Sequence, residues 1–329
     1  MQVWPEMQNS TQKLSYLQAI VEAQREEMRR DDTVILMGED IAVYGAQSLF
    51  DEFDESRLRN TPISENSFTG VGIGAALTGL RPIVDLTIAS FAYLASDQII
   101  NQAAKLRFMT GGQLKVPFVF RLSTYYNNRT AAQHADRPYP LFMNTPGLKV
   151  LAPATAADAK GLLKSAIRDD DPVVVFEDIN LWGKKGDVPM DEDVLVPIGQ
   201  ADVKRAGSDV TIVAFAGSLA PALAAADLLT EEGVEAEVID LRTLVPMDKD
   251  AILASVAKTG RLVIVDNSHR VGSVASEIAA VVAEEAFDLL RKPIQRLTAP
   301  AIHVPYNLTL EKQLFPTKDT IAAAVKTIM

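Results

Sequence analysis

Cysteine is absent from the 329 residues. That excludes disulfides, thiol nucleophiles and thiolate metal sites, and it is compatible with a reducing cytoplasm. An excess of basic charge is absent too. The 32 Lys and Arg are outnumbered by 43 Asp and Glu, for a formal net charge of −11. A nucleic-acid partner is therefore not expected, because its footprint is a basic patch. Long apolar runs are missing as well. The longest uncharged run, VTIVAFAGSLAPALAAA from Val210, contains Gly217 and Pro221. It falls short of the roughly 20 residues of a membrane helix and reads as strand, turn and helix. The first residues, MQVWPEMQNSTQKLSYLQ, hold no apolar signal core and no Arg/Ser-rich, acid-poor transit character. A cytoplasmic chain without a membrane partner is expected.

What is present is ordinary globular material, 48% hydrophobic and 23% charged. The length suggests two domains, at about 100–200 residues each. Buried β-rich runs alternate with helical spacing. TVILMGED from Thr33, RPIVDLTIAS from Arg81, VPFVFRLS from Val116, GLKVLAP and PVVVFED from Pro172 read as strands. Helices are expected from Ser15, from Tyr93 to Gly111-Gly112, and from Thr155, where Asp158 completes a capping-box pattern. The polar stretch from Asn180 to Pro197 has no helical period and reads as a linker. The alternation resumes with strands at Thr211, Glu235, Arg261 and Pro293, and helices from Ala220, Asp248 and Ser273. The fold class is therefore α/β, with two parallel-sheet domains and helices on both faces. Their bounds are 1–185 and 198–329, with 186–197 between them.

Parallel sheets place ligands at the carboxyl ends of strands. Two loops after strands stand out. One is MGED. The other is LSTYYNNRTAAQHADRPYP, which is long, polar and aromatic and carries His134, one of three histidines. A loop of that kind is either functional or a solvated surface loop. Glu65 opens an otherwise apolar helix in SENSFTGVGIGAALTGL. It is either a helix-start carboxylate favoured by the macrodipole or a desolvated acid with chemistry to do. Gly70, Gly72, Gly74 and Ala75 fit a loose dinucleotide fingerprint, but no good first strand precedes them and no acid follows at the required distance. Small residues there serve close packing. A Walker A phosphate loop is absent.

Nine words occur in one order: MGED, TPISE, GLRP, SDQIINQAAKLRFMTGG, QH, TPGLKVLAP, DAKGLLKSAIRDDDPVVVFE, VIDLRTLVPMD and TGRLVIVD. Together they resemble the beta subunit of the decarboxylating component of 2-oxo-acid dehydrogenase complexes. That family includes the pyruvate, branched-chain 2-oxo-acid and acetoin types. The resemblance runs from about Ser15 to the C-terminus.

The resemblance implies a heterotetramer of two alpha and two beta chains, with thiamin diphosphate at alpha–beta interfaces. It implies a pyrimidine-binding domain followed by a transketolase C-terminal domain that docks a lipoyl acyltransferase core. The alpha chain would supply the diphosphate and Mg²⁺ site through a GDG motif and a later Asn. The nearest string here, KKGDVP at 184–189, is not that motif. Glu65 matches the catalytic glutamate, which shares a proton with pyrimidine N1′ so that the cofactor's own imino group can remove the C2 proton. His134 matches an active-site histidine that acts in acyl transfer to lipoyl. Phe91 matches an aromatic against the pyrimidine, though plain core packing explains it nearly as well, and Ile63 lies beside the glutamate. Phe118, Ala166, Ile167, Asp169 and Asp171 match a structural potassium site, mostly through backbone oxygen. A solvated acidic turn explains the same residues.

Three departures bear on the substrate. The family usually reads His-Ser-Gln where this chain reads His134-Ala135-Asp136. A commonly glycine-rich loop is TYYNNRTAAQ, and a frequent glutamine is Leu94. Tyr125, Tyr126, Asn127, Asn128 and Arg129 are therefore expected to shape the substrate entrance, with Arg129 available to a carboxylate. Acetoin cleavage, acyloin formation and a non-catalytic docking role are the alternatives to 2-oxo-acid oxidation.

Overall fold

A computed structural model describes residues 10–43 and 45–329 of the chain. The valine- and isoleucine-rich runs form the middles of two sheets. β-Branched side chains pack well on a pleated surface, so short runs of them with both faces covered become buried parallel strands. The first sheet has seven strands. From edge to edge they are Thr243–Val245, Lys149–Leu151, Val173–Asp178, Val119–Thr124, Arg81–Ile88, Val34–Gly38 and Leu58–Asn60. All neighbours except the first pair run parallel. The second sheet has five: Gln295–Ala299, Leu262–His269, Val210–Ala214, Ala236–Asp240 and Asp202–Arg205, the last antiparallel.

Period-2 side-chain alternation sends one strand into two cores. Val34 and Leu36 join Ile20, Met28 and Leu163 on one face, while Ile35 and Met37 join Phe68, Ile73 and Phe118 on the other. Helices therefore cover both faces of the first sheet. The two halves also share an interior. The strand Thr243–Val245 comes from the second half yet closes the edge of the first sheet, antiparallel to Lys149–Leu151. The cluster on that side runs from Phe142 and Phe176 through to Val213, Phe215, Leu244 and Ile252.

The stretch without helical period is more ordered than its pattern suggests. Lys185–Pro189 forms an antiparallel pair with Thr11–Ser15. Farther on, Lys164 Nζ donates to the Glu192 carbonyl at 2.6 Å and Ser165 Oγ to that of Val196 at 2.6 Å. A lone two-stranded ribbon has a distant partner and a polar outer face, so local periodicity does not reveal it. The expected helix from Tyr93 also differs. It divides into a 3₁₀ turn at Ala89–Tyr93, a π-helical segment at Asp97–Ala103 and an α-helix at Ala104–Met109. Thr155 caps Ala156–Arg168 as its sequence suggests, accepting from the Asp158 N–H at 3.1 Å.

Candidate active site

The carboxyl ends of the parallel strands gather several acids. Glu39 follows Val34–Gly38, and Asp178 ends Val173–Asp178. Glu65 is the first residue of the helix Glu65–Leu77, at the positive end of its dipole. Its side chain is 6% exposed and makes no hydrogen bond to another described protein group. The helix sits close to the sheet because residue 72 is glycine. A Cβ there would stand 2.7 Å from the Phe118 ring and 2.9 Å from Val84.

Glu39 is the residue that sequence reasoning missed, although its MGED loop stands out. It is 4% exposed and its Oε2 has no partner among the described residues. Burial first, then the charges of Glu65, Asp40 and Asp85, push its carboxyl up to about 7. Glu39 and Glu65 are thus two buried acids close enough for the charge of one to act on the other. The only advance signal is an acid placed directly after a wholly buried strand.

Behind this pair lies a buried ionic network. Arg121 Nη1 donates to Asp85 Oδ2 at 2.9 Å, and its Nε donates to Glu177 Oε1 at 2.6 Å. The other Asp85 oxygen accepts from the Thr87 N–H at 2.8 Å. Thr87 has φ 59°, a left-handed conformation that is unfavourable for a β-branched residue. Pairing with the neighbouring strand shifts between Asp85 and Ile88. This irregularity ends the strand and starts the turn that carries Phe91.

Phe91 meets His134 edge to face, with ring centroids 5.4 Å apart and planes at 87°. His134 closes the short helix Ala131–His134 and is half-buried, and its Nδ1 is buried with no partner among the described residues. So the structure brings together Glu65 with Glu39, and Phe91 with His134. Ile63 is 78% exposed, and Val71 and Leu94 are exposed too, at 63% and 64%. Of the loop residues expected at an entrance, Asn128 and Arg129 are exposed, but Tyr125 and Tyr126 turn inward. Tyr126 is held there by its hydroxyl, which donates to Asp178 at 2.6 Å and accepts from Asn267 at 2.7 Å. Asp136 accepts a hydrogen bond from Tyr93.

The five potassium positions lie at the opposite end of the sheet, where Arg81–Ile88 begins. Arg81 Nη1 donates to the carbonyls of Ile167 at 3.0 Å and Asp169 at 2.9 Å. The Ala166 carbonyl accepts from Asp169 N–H and that of Phe118 from Val173 N–H. Lys149 Nζ pairs with Asp169 at 2.6 Å and Asp171 at 3.4 Å. The donor set is oxygen throughout, and each carbonyl keeps a second lone pair. Arg81 and Lys149 thus already pair with these oxygens and neutralise the acids.

Comparison with known proteins agrees with this geometry. Residues 12–183 match the family "Transketolase, pyrimidine binding domain" and residues 199–321 match "Transketolase, C-terminal domain". The chain is 45% identical over 94% of its length to the beta subunit of acetoin:2,6-dichlorophenolindophenol oxidoreductase of Bacillus subtilis, covering 95% of that protein. It is 45% identical, also over 94% of its length, to the beta subunit of the pyruvate dehydrogenase E1 component of Rhizobium meliloti, covering 69% of it. It is 41% identical over 95% to the beta subunit of 2-oxoisovalerate dehydrogenase of Bacillus subtilis, covering 98%. Among solved structures, a split-gene transketolase described as an inactive β4 tetramer superposes with a TM-score of 0.80 at 25% identity, over 96% of this chain and 98% of that one. The sheet order, the buried acid at the head of a glycine helix and these relatives lead to one conclusion: the chain belongs to the family of transketolase-like beta subunits of 2-oxo-acid and acetoin dehydrogenases.

Proposed function

We propose that this chain is the beta half of a thiamin diphosphate-dependent 2-oxo-acid dehydrogenase, active only in an α2β2 assembly. The observation that carries the reading is Glu65, a buried acid at a helix start with no hydrogen-bond donor among the described residues. An orphaned acceptor of this kind fits the protonated nitrogen of a pyrimidine. Bound thiamin diphosphate would supply a carbanion-forming carbon that the side chains of proteins lack. Glu65 would hold a proton at pyrimidine N1′, and Glu39, its carboxyl pushed up to about 7, would add less negative charge beside it than an ordinary carboxylate. Phe91 would bear on the ring face, and Ile63 would be covered by the alpha chain. His134 would deliver or accept a proton on the substrate side and in acyl transfer to a lipoyl group. The diphosphate and Mg²⁺ belong to the alpha chain, because no motif for them stands here. A potassium ion at Phe118, Ala166, Ile167, Asp169 and Asp171 is part of the same proposal, as are a cytoplasmic location and docking to a lipoyl acyltransferase core. Among the described residues no helix is long and apolar enough to cross a membrane.

Glu65→Gln tests the reading. Glutamine is nearly isosteric but cannot share the proton. Turnover of the reconstituted complex should fall by at least about 10²-fold, with the fold intact. Wild-type turnover in that variant would reduce Glu65 to a helix-start residue. Acetoin cleavage is the second reading. It is favoured by the equal identity to an acetoin and a pyruvate relative and by the departures around His134. A panel of 2-oxo acids and acetoin run on one reconstituted complex separates the two.

A further inference from the structure

His134 stands at the end of a loop that is poorly held by its own backbone. Asn127, Arg129 and Ala131 all adopt left-handed conformations, with φ of 56°, 61° and 57°. None is glycine, so each is disfavoured by its Cβ, and such conformations persist only where surroundings impose them. Among residues 127–130, the Arg129 N–H is the only backbone donor with an acceptor among the described residues, and that acceptor is a side chain.

The acceptor comes from the second domain. Glu311 closes the helix Leu308–Glu311, is wholly buried, and accepts from Arg129 N–H through Oε2 at 3.1 Å. Among the described residues its Oε1 has no partner, and no cation pairs with it. A buried carboxylate without a counter-charge is costly. Simple packing at this position would be better served by Met or Leu. The same segment grips the far side of the loop. Phe315 lies 4.6 Å from the Tyr126 ring, and the buried Arg137 guanidinium sits over both, 4.9 Å from Phe315 and 5.7 Å from Tyr126. Asn267, also of the second domain, donates to the Tyr126 hydroxyl.

We propose that Glu311 is a positioning residue for His134: its carboxylate fixes the Arg129 N–H, and so the left-handed turn that delivers the helix Ala131–His134 to Phe91. The second domain thereby sets the geometry of a side chain in the first. This inference rests on the reading of His134 as a working group, and the test separates the two.

The alpha–beta complex is reconstituted with Glu311→Met, Glu311→Gln, His134→Ala and the Met/Ala double variant. Met fills the space without an acceptor, whereas the Gln amide oxygen can still accept from Arg129. In Glu311→Met, amide exchange over residues 127–134 should speed up by roughly tenfold or more, while the rest of the chain keeps its protection. Its kcat should fall by about tenfold with KM within about twofold, and Glu311→Gln should restore both. In the His134→Ala background, Glu311→Met should cost less than about twofold, because the two act through one group. Unchanged exchange in Glu311→Met, or losses that multiply fully in the double variant, would overturn the proposal. If Glu311→Met fails to assemble, Glu311→Asp replaces it: one methylene too short to reach Arg129, it should show the same faster exchange and lower kcat. If His134→Ala alone keeps full turnover, the functional reading of His134 fails, and the exchange data still decide whether Glu311 holds the loop.

Discussion

A carboxyl group that loses its water must find a donor, share its charge or keep its proton. Glu39 does the last. Its carboxyl is pushed up to about 7 by burial and by neighbouring acids, so the folded state holds a proton that the unfolded chain gives up near its ordinary value. The sign follows from linkage. As pH rises between the ordinary carboxylate range and 7, the unfolded chain gains from ionising and the native state does not, so Glu39 lowers stability across that window. Glu39→Gln removes the effect. Its stability advantage over wild type should widen by up to about 2 kcal/mol between pH 5.5 and 8, at about 1.4 kcal/mol per pH unit below the folded value. Urea unfolding of the purified chain at both pH values measures it, and a constant difference would mean that Glu39 ionises normally. Glu65 is legible in the sequence because the surrounding words have an order. Glu39 is not, because its state depends on Glu65 and Asp85, 26 and 46 positions away, and no local pattern encodes that meeting.

The glycine helix shows what one element can and cannot announce. GVGIGAAL reads as close packing, but sequence does not say which glycine is needed or against what. The structure separates them. At Gly72 a Cβ would collide with Phe118 and Val84, whereas at Gly74 nothing lies within 4 Å. Gly72→Ala should therefore destabilise the isolated chain by about 1–3 kcal/mol of overpacking, less the roughly 1 kcal/mol that alanine gains in a helix. Gly74→Ala should stabilise it by about 0.5–1 kcal/mol. Thermal unfolding of the two variants gives opposite signs. The same exposed face carries Val71, and if the alpha chain covers it closely, Gly74→Ala should also weaken assembly. A Gly74→Ala chain that is stabilised alone and binds its partner at full strength would leave that face outside the interface. The π-helical turn at Asp97–Ala103 is the opposite case. Its apolar spacing over SDQIINQAAKLRF is that of an ordinary helix, since one extra residue per turn leaves too small a mark on so short a pattern. The ribbon of Thr11–Ser15 with Lys185–Pro189 is equally hidden, because its two strands are far apart in the chain.

At the scale of the molecule, the buried runs suffice for two parallel sheets, but not for how far the halves interpenetrate. Thr243–Val245 closes the first sheet from the second half, and residues 311–315 reach back onto the loop of His134. Glu65 has an acid neighbour and no donor among the described residues, and Ile63, Val71 and Leu94 are exposed. Exposed apolar side chains of this kind suit a surface that a partner covers. The chain also has no GDG motif, and affinity for a diphosphate cofactor leans on Mg²⁺ and phosphate contacts. The chain purified alone should therefore show no thiamin diphosphate binding at low micromolar concentration and no turnover, with Mg²⁺ present. Calorimetric titration of the chain, before and after mixing with an alpha-type partner, measures both states. Micromolar binding by the lone chain would show that Glu65 and its pocket hold the cofactor unaided. Glu65 and its flanking surface would then be a whole site, and the alpha chain would be needed only for later steps.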